Sequence, residues 1–283
     1  MADEPKKKKA GVKPDFATIG GLVLAFGGIL GGLVLEGGKI RDVAQVTAAI
    51  IVLGGTIGAV MVTTPLDVLI GAAKKIVLVF LDTVSEPGGV IKDLIAFATK
   101  ARKNGIASLE QDAGDIADPF LKKAVNLAVD GTDVQEIRKM MELEITLEEH
   151  HWESEAKVYE AAGGYSPTVG IIGAVLGLIQ VMKHLENIEE VGHGIAVAFV
   201  ATVYGVAAAN LVFLPAASKI KARAAKTIQM RELMLEGVIG IAEGLNPKLI
   251  KIKLDAYVRN HAPPKGKKSK AGDEAARAAT AEA

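Results

Sequence analysis

The sequence contains no cysteine, which excludes disulfides and cysteine-ligated metal sites. Aromatic residues are only 4% of its 283 positions, and 33 basic residues are balanced by 33 acidic ones, so the formal net charge is zero. A neutral chain lacks the basic footprint of a nucleic-acid binder. It also has no phosphate-binding loop and no nucleophile paired with a base, which argues against a membrane enzyme or an energised transporter. The paired His150 and His151 lie among Glu148, Glu149 and Glu153, but adjacent residues point to different faces of a helix, so no metal site is expected there. No cofactor is expected either.

Charge is missing from four places in particular. Half of all residues are hydrophobic and the mean hydropathy is +0.31, well above that of an ordinary soluble domain. A helix needs about 20 uncharged apolar residues to cross a hydrocarbon core about 30 Å thick. Residues 16–35, 43–65 and 194–214 satisfy this, and 167–182 does so when extended by the small residues 161–166. The fold class expected is therefore all-α, a polytopic membrane protein with four transmembrane helices and a helical cytoplasmic domain.

Lysines 6, 7, 8, 9 and 13 precede the first block, and Lys219, Lys221, Arg223 and Lys226 follow the last. By the positive-inside rule both termini face the cytoplasm, and the short loops 36–42 and 183–193 face outward. The first apolar block is too long for a cleavable signal peptide. The expected order is a basic tail (1–15), a transmembrane hairpin (16–65), a cytoplasmic helical domain (66–165), a second transmembrane hairpin (166–214), a cytoplasmic helix (215–262) and a disordered tail (263–283).

Within the cytoplasmic domain, residues 67–84 are apolar, but Lys74 and Lys75 in their middle favour a helix lying at the interface over a fifth span. Thr132 with Gln135 reads as a capping box opening a long amphipathic helix that feeds the third span. The pairs Gly27 and Gly31, Gly28 and Gly32, Gly54 and Gly58, and Gly173 and Gly177 carry the spacing at which two membrane helices approach closely. Ser166 and Pro167 read as the cap and first residue of the third span, and Pro215 as a bend or end of the fourth.

None of the four blocks contains Asp, Glu, Lys, Arg or His. An ion crossing a bilayer usually needs an ionisable side chain at depth. Either this chain conducts nothing, or a second subunit supplies the carboxylate and this chain forms the wall around it. Thr202 is a polar group left inside the fourth span; its hydroxyl could meet a cation, or simply bond back to the preceding turn.

The run from Gly164 through Pro167 and Gly170 to Ile179, then Thr202-Val203-Tyr204-Gly205 and Asn210 to Pro215, resembles the last two membrane helices of the A-subunit of the bacterial flagellar motor stator, the MotA/PomA/MotP family. The segment from Lys100 to Glu110 is similar to that family's rotor-facing motif. The resemblance covers nearly the whole chain apart from the tails. It implies an inner-membrane protein that self-associates as a pentamer around a single-span B-subunit of the MotB/PomB kind, whose membrane Asp carries the ion. It further implies that ion flow drives torque on the rotor switch protein FliG, and that residues 66–165 face the rotor.

By the same resemblance Pro167, Pro215 and Thr202 line or gate the ion path, and Arg102, Lys103 and Glu110 engage the rotor. Ala174, seven residues after Pro167, stands where sodium-driven members tend to carry Thr and proton-driven ones Ala, which favours H+ and leaves Na+ open. Two other readings remain: an ExbB/TolQ-like proton-driven energiser, against which the first hairpin argues, and a membrane scaffold that conducts nothing.

Overall fold

The structure, a computed structural model, describes residues 12–83 and 87–261. The expected disordered tail and residues 1–11 of the basic tail lie outside the described residues. In chain order, strand β1 (Val12–Pro14) leads into helix α1 (Phe16–Leu35). Then come α2 (Ile40–Val43), α3 (Val46–Ala49), a π-helical turn at Ile50–Gly54, α4 (Gly55–Thr63), α5 (Leu66–Phe80) and strand β2 (Leu81–Thr83). Helices α6 (Pro87–Asn104), α7 (Glu110–Gly114) and α8 (Pro119–Val129) follow, with a 3-10 turn at Ile106–Leu109 between the first two. The last described elements are α9 (Val134–Lys183), α10 (Ile188–Ala207), a second π-helical turn at Ala208–Phe213, α11 (Leu214–Ala242) and α12 (Pro247–His261).

Four of these stretches are long and apolar enough to cross a membrane: Phe16–Leu35, Val46–Thr63, part of Val134–Lys183 and part of Ile188–Ala242. Helix α5, with 15 residues, spans only about 22 Å and is too short to be a fifth. Among the described residues the architecture is all-α apart from one short antiparallel ladder, in which Val12 pairs with Thr83 and Pro14 with Leu81.

The chain divides into two compact units, residues 1–85 with 140–232, and residues 86–139 with 233–283. The first unit holds the spans. Its second, third and fourth spans pack through residues too small to keep their backbones apart. A Cβ on Gly170 would lie 2.9 Å from the Ala201 carbonyl oxygen, and one on Gly205 would lie 2.6 Å from the Ser166 carbonyl oxygen. On Gly177 it would meet Ala198 Cβ at 2.9 Å, and on Gly55 it would meet Val169 Cγ1 at 2.7 Å. Lipid tails are as apolar as leucine, so such close packing, rather than water exclusion, holds membrane helices together.

Of the four glycine pairs singled out by spacing, only Gly173 and Gly177 meet a neighbour in this way. Cβ atoms at Gly27, Gly28, Gly31, Gly32, Gly54 and Gly58 would meet nothing within 4 Å, and α1 has no buried residue. Spacing identifies a face that can pack, but only the fold decides which faces find a partner.

Three expected helix boundaries are corrected. Helix α9 is capped by Asp133, whose carboxylate accepts the Gln135 N–H at 2.9 Å, one residue later than the Thr132 box. The turn before it places Gly131 at φ 75°, a conformation that glycine adopts without strain and that sets Asp133 at the cap. Pro167 is not a helix start but lies inside the unbroken 50-residue α9. Proline removes one backbone bond and stays tolerable in a span when neighbouring helices pack around it. Likewise Pro215 neither ends nor interrupts the fourth span. The wide turn at Ala208–Phe213, in which the Leu214 N–H reaches back five residues to the Ala209 carbonyl, absorbs the mismatch one turn earlier. Helix α11 then continues to Ala242.

The second unit is a conventional apolar core. Ile91, Leu94, Phe120, Leu121, Val125, Ile137, Val238, Ile239, Ile250 and Leu254 are all buried. Leu94 packs directly over Gly237, where a Cβ would come within 2.5 Å of it. Glu236 ties three helices together by pairing with Arg138 at 2.8 Å and with Lys253. Burial alone would raise its carboxyl, but the hydrogen bonds from Lys253 and Arg138 outweigh this and hold it below the ordinary glutamate value.

Gly205→Val forces a branched side chain into the Ser166 carbonyl, and overpacking of this kind costs about 1–3 kcal/mol or more. It is expected to lower the thermal stability of the detergent-solubilised protein, whereas Gly21→Ala, whose Cβ meets nothing, does not lower it.

Candidate functional site

The four residues expected along the ion path all lie on α9, α10 and α11 within the first unit, on one packed pair of helices. Pro167 offers no N–H to the Gly163 carbonyl one turn before it. Gly163 is covered by Leu214, since a Cβ there would sit 2.6 Å from Leu214 Cδ2. Leu214 immediately precedes Pro215, so the two proline turns meet at one level of the helix pair. Further along, Gly170 lies against the backbone of Thr202 and Gly205, its Cβ position only 3.4 Å from Thr202 Cα.

The Thr202 hydroxyl donates to the Ala198 carbonyl at 3.3 Å, the local bond expected of a threonine inside a membrane helix. Ala174 is half-buried, next to Gly173, whose Cβ position faces Ala201 at 2.8 Å. Pro215 is exposed and Pro167 half-buried. Ser166, by contrast, is fully buried and its hydroxyl has no hydrogen-bond partner among the described residues.

The outward faces of these helices are apolar. Ile171, Ile172, Val175, Leu176, Leu178 and Ile179 on α9 are exposed, as are Phe199, Val203 and Val206 on α10. Within the bilayer these surfaces suit lipid or another apolar helix, and they offer no titratable group to either.

The charged residues expected to meet the rotor are in the second unit. Arg102 and Lys103 occupy the last turn of α6, which ends at Gly105 with φ 83°. Glu110 opens α7 one 3-10 turn later. All three are exposed. Buried Leu109 and Ala113 anchor the short helix beneath them, and Lys100 bonds Asp112 at 2.6 Å across the turn, fixing α6 relative to α7. The motif thus presents two cations and one anion on a braced helix–turn–helix, with the cations at the helix C-terminus and the anion at the following N-terminus, each where the backbone dipole favours it.

Two polar features went unread in the sequence. Tyr204, on α10, donates its hydroxyl to the Val43 carbonyl and accepts the Gln45 N–H at 3.3 Å, satisfying the break between α2 and α3 where the second span begins. Asp15 caps α1 through the Ala17 and Thr18 N–H groups, both at 3.1 Å, and binds Lys219 at 2.6 Å and Arg223 at 2.9 Å. The bond from Lys219 is the main cause that lowers its pKa to about 2, against the opposing effect of burial. An aspartate directly before an apolar block is a readable cap signal; its cationic partners, more than 200 residues away, leave no local trace.

A membrane-integral all-helical protein emerges, with an uncharged, glycine-packed pair of spans and a separate unit bearing a braced charged motif. A profile of the MotA/TolQ/ExbB proton channel family matches residues 112–233, and one of the motility protein A N-terminal region matches residues 19–105. The chain is 35% identical to motility protein A of Bacillus subtilis over 86% of its length and 91% of that protein's. To motility protein A of Helicobacter pylori it is 36% identical, over 90% and 98%. To chemotaxis protein PomA of Vibrio alginolyticus it is 32% identical, over 87% and 95%. The solved structure of C. jejuni MotAB superposes with a TM-score of 0.83 at 34% identity, covering 90% of this chain and 99% of that one. The flagellar MotAB stator complex of Bacillus subtilis does so with a TM-score of 0.80 at 34% identity, over 86% and 96%. The chain belongs to the motility protein A family, within the wider MotA/TolQ/ExbB group.

Because the folded-state pKa of Asp15 lies below its unfolded value of 3.8, its contribution to stability is present above about pH 4 and is lost as pH falls through about 2. Asp15→Asn is expected to lower the melting temperature at neutral pH and to flatten the fall in stability between pH 4 and pH 2, as followed by thermal unfolding in lipid nanodiscs.

Proposed function

We propose that this chain is the ion-path and force-transmitting subunit of a flagellar motor stator, working with a single-span B-subunit whose membrane aspartate takes and releases the ion. The observation that carries the reading is the packed pair of third and fourth spans: four apolar blocks without Asp, Glu, Lys, Arg or His, the third of them part of an unbroken 50-residue helix. Such a wall can shape a path but cannot bind an ion by charge, so the acid comes from elsewhere. The relatives named motility protein A and PomA, and the solved MotAB complexes, support a B-subunit of the MotB kind as its source.

In this reading copies of the chain, five in number, surround the B-subunit in the inner membrane with both termini cytoplasmic. Protonation and release at the partner's aspartate alternately remove and restore a buried charge beside the wall. The wall answers where its backbone is already relieved of hydrogen bonds, at Pro167 and Pro215 and at the wide turn before the latter. Ala174 leaves room without a hydroxyl, which favours protons over sodium. The Thr202 hydroxyl, bonded at a long 3.3 Å, is the polar group free to turn toward a passing ion or water. Arg102, Lys103 and Glu110 then pass the motion to complementary charges on FliG. The match over residues 19–105 to a motility-specific region favours this reading over an ExbB/TolQ-like energiser.

Pro167→Ala and Pro215→Ala are each expected to abolish or strongly slow swimming while the protein still accumulates in the membrane with its partner; normal motility in both variants would refute the gating role. Glu110→Lys is expected to weaken rotor engagement and to be partly rescued by a charge reversal on the rotor. Absence of rescue by any rotor charge would leave Glu110 a solvated surface residue.

A further inference from the structure

Outside the spans, the first unit contains a buried charge that none of the roles above uses. Glu155, on α9, is 1% exposed. Its Oε1 takes up the space beside Gly71 on α5, where a Cβ would lie 2.3 Å from it, so the carboxylate as placed uses the room that the glycine leaves. Lys75, one turn along α5, places Nζ 3.7 Å from Glu155 Oε2 and 3.0 Å from the centroid of the Trp152 ring. His151 Nε2 lies 3.2 Å from Oε1, on the exposed side. Trp152 in turn donates its indole N–H to Glu148 at 3.2 Å, and Glu148 pairs with Arg231 on α11.

Burial lowers the Lys75 pKa, Glu155 opposes that shift, and the charge of Arg231 adds to it. The Tyr159 hydroxyl completes the contact by donating to the Ala72 carbonyl of α5 at 2.8 Å. One network of ions and an aromatic ring therefore threads α5, α9 and α11 together. It lies 12 residues, about 18 Å, along α9 from Pro167.

Such a network is a poor way to gain stability. Two charges removed from water lose solvation that their attraction repays only in part, and apolar residues of similar size are often as good or better. The network does something apolar packing cannot: it admits one register. Rotating α5 by a single residue, about 100°, would carry Lys75 away from Trp152 and leave Glu155 buried without its counter-charge. The other apolar residues along the same interface, Val79, Ala156, Ile220 and Ala224, would tolerate small slips far more cheaply.

We propose that Lys75 and Glu155 are positioning residues for torque: they lock the interfacial helix α5 to the cytoplasmic shafts of the third and fourth spans, so that movement at the proline level reaches α5 without slip. The inference rests on the stator reading above. In sequence, α5 is the last helix before the segment that carries Arg102, Lys103 and Glu110.

The test expresses the full chain with its cognate B-subunit in a host lacking its own stator, and measures torque per stator unit from the step size in bead rotation. Membrane abundance and melting temperature are followed in parallel. The paired substitution Lys75→Met with Glu155→Leu is expected to keep abundance and melting temperature while torque per unit falls several-fold, and Lys75→Arg is expected to retain most of the torque. Wild-type torque in the paired variant overturns the proposal. Should that variant fail to accumulate, Glu155→Gln, close to isosteric, decides: reduced torque at normal abundance supports the lock, and full torque, or failure to accumulate here too, overturns it. If the unsubstituted chain cannot turn the motor with its partner, the stator reading itself fails; if it turns and the variants turn equally well, only the lock fails.

Discussion

The backbone-to-backbone contact between the third and fourth spans is the constraint on which the rest depends. Gly170, Gly173 and Gly177 on one helix face Ala198, Ala201 and Gly205 on the other, with carbonyl oxygens so near that a single methyl group would not fit at Gly205. This closeness replaces the hydrophobic effect, which the bilayer does not provide between helices. It also sets the relative level of the two prolines, because Leu214, next to Pro215, fills the space over Gly163, one turn before Pro167. Without that contact neither proline would have a defined neighbour, and Thr202 would have no fixed place on the wall.

A second constraint follows from charge. The spans carry none, and the charged residues that matter lie just beyond them: Asp15 with Lys219 and Arg223, and Glu155 with Lys75. The first pair of contacts fastens the start of α1 to α11, which compensates for a span whose length has no buried residue. The second fixes α5. Charge in this protein thus acts as fastening outside the hydrocarbon; in the proposed stator reading the membrane interior is left for a charge on the B-subunit.

Much of this was legible in the sequence, and the reasons differ by feature. The spans could be read because bilayer thickness dictates a length and the absence of charge is visible residue by residue; α1 occupies Phe16–Leu35, the first apolar block itself. The helix boundaries were less readable. Pro167 follows a serine and so imitates a helix start, but the amphipathic segment before it is already helical, and the continuous helix overrides the local signal. Thr132 lost the cap to Asp133 because the glycine turn before it sets which of two adjacent residues faces the first helical N–H groups.

Glycine spacing was a necessary sign of close packing and an insufficient one, since Gly28 and Gly173 look alike in the sequence and only the latter meets a neighbour. The Tyr204 bridge and the pairing of Glu155 with Lys75 arise from contacts between residues far apart in sequence, and no local pattern encodes them. The roles proposed for Pro167, Ala174, Thr202, Pro215, Arg102, Lys103 and Glu110 rest on resemblance to a family; the structure adds where each sits.

In the proposed reading this chain surrounds an ion path without itself holding the ion. The most direct test reconstitutes the purified chain into liposomes under an imposed pH gradient, with and without its single-span partner, and follows proton entry with a trapped pH-sensitive dye. No flux above empty vesicles is expected for the chain alone, and with the partner a flux that disappears when the partner's membrane aspartate is replaced by asparagine. Rapid, selective flux through the chain alone would contradict that reading.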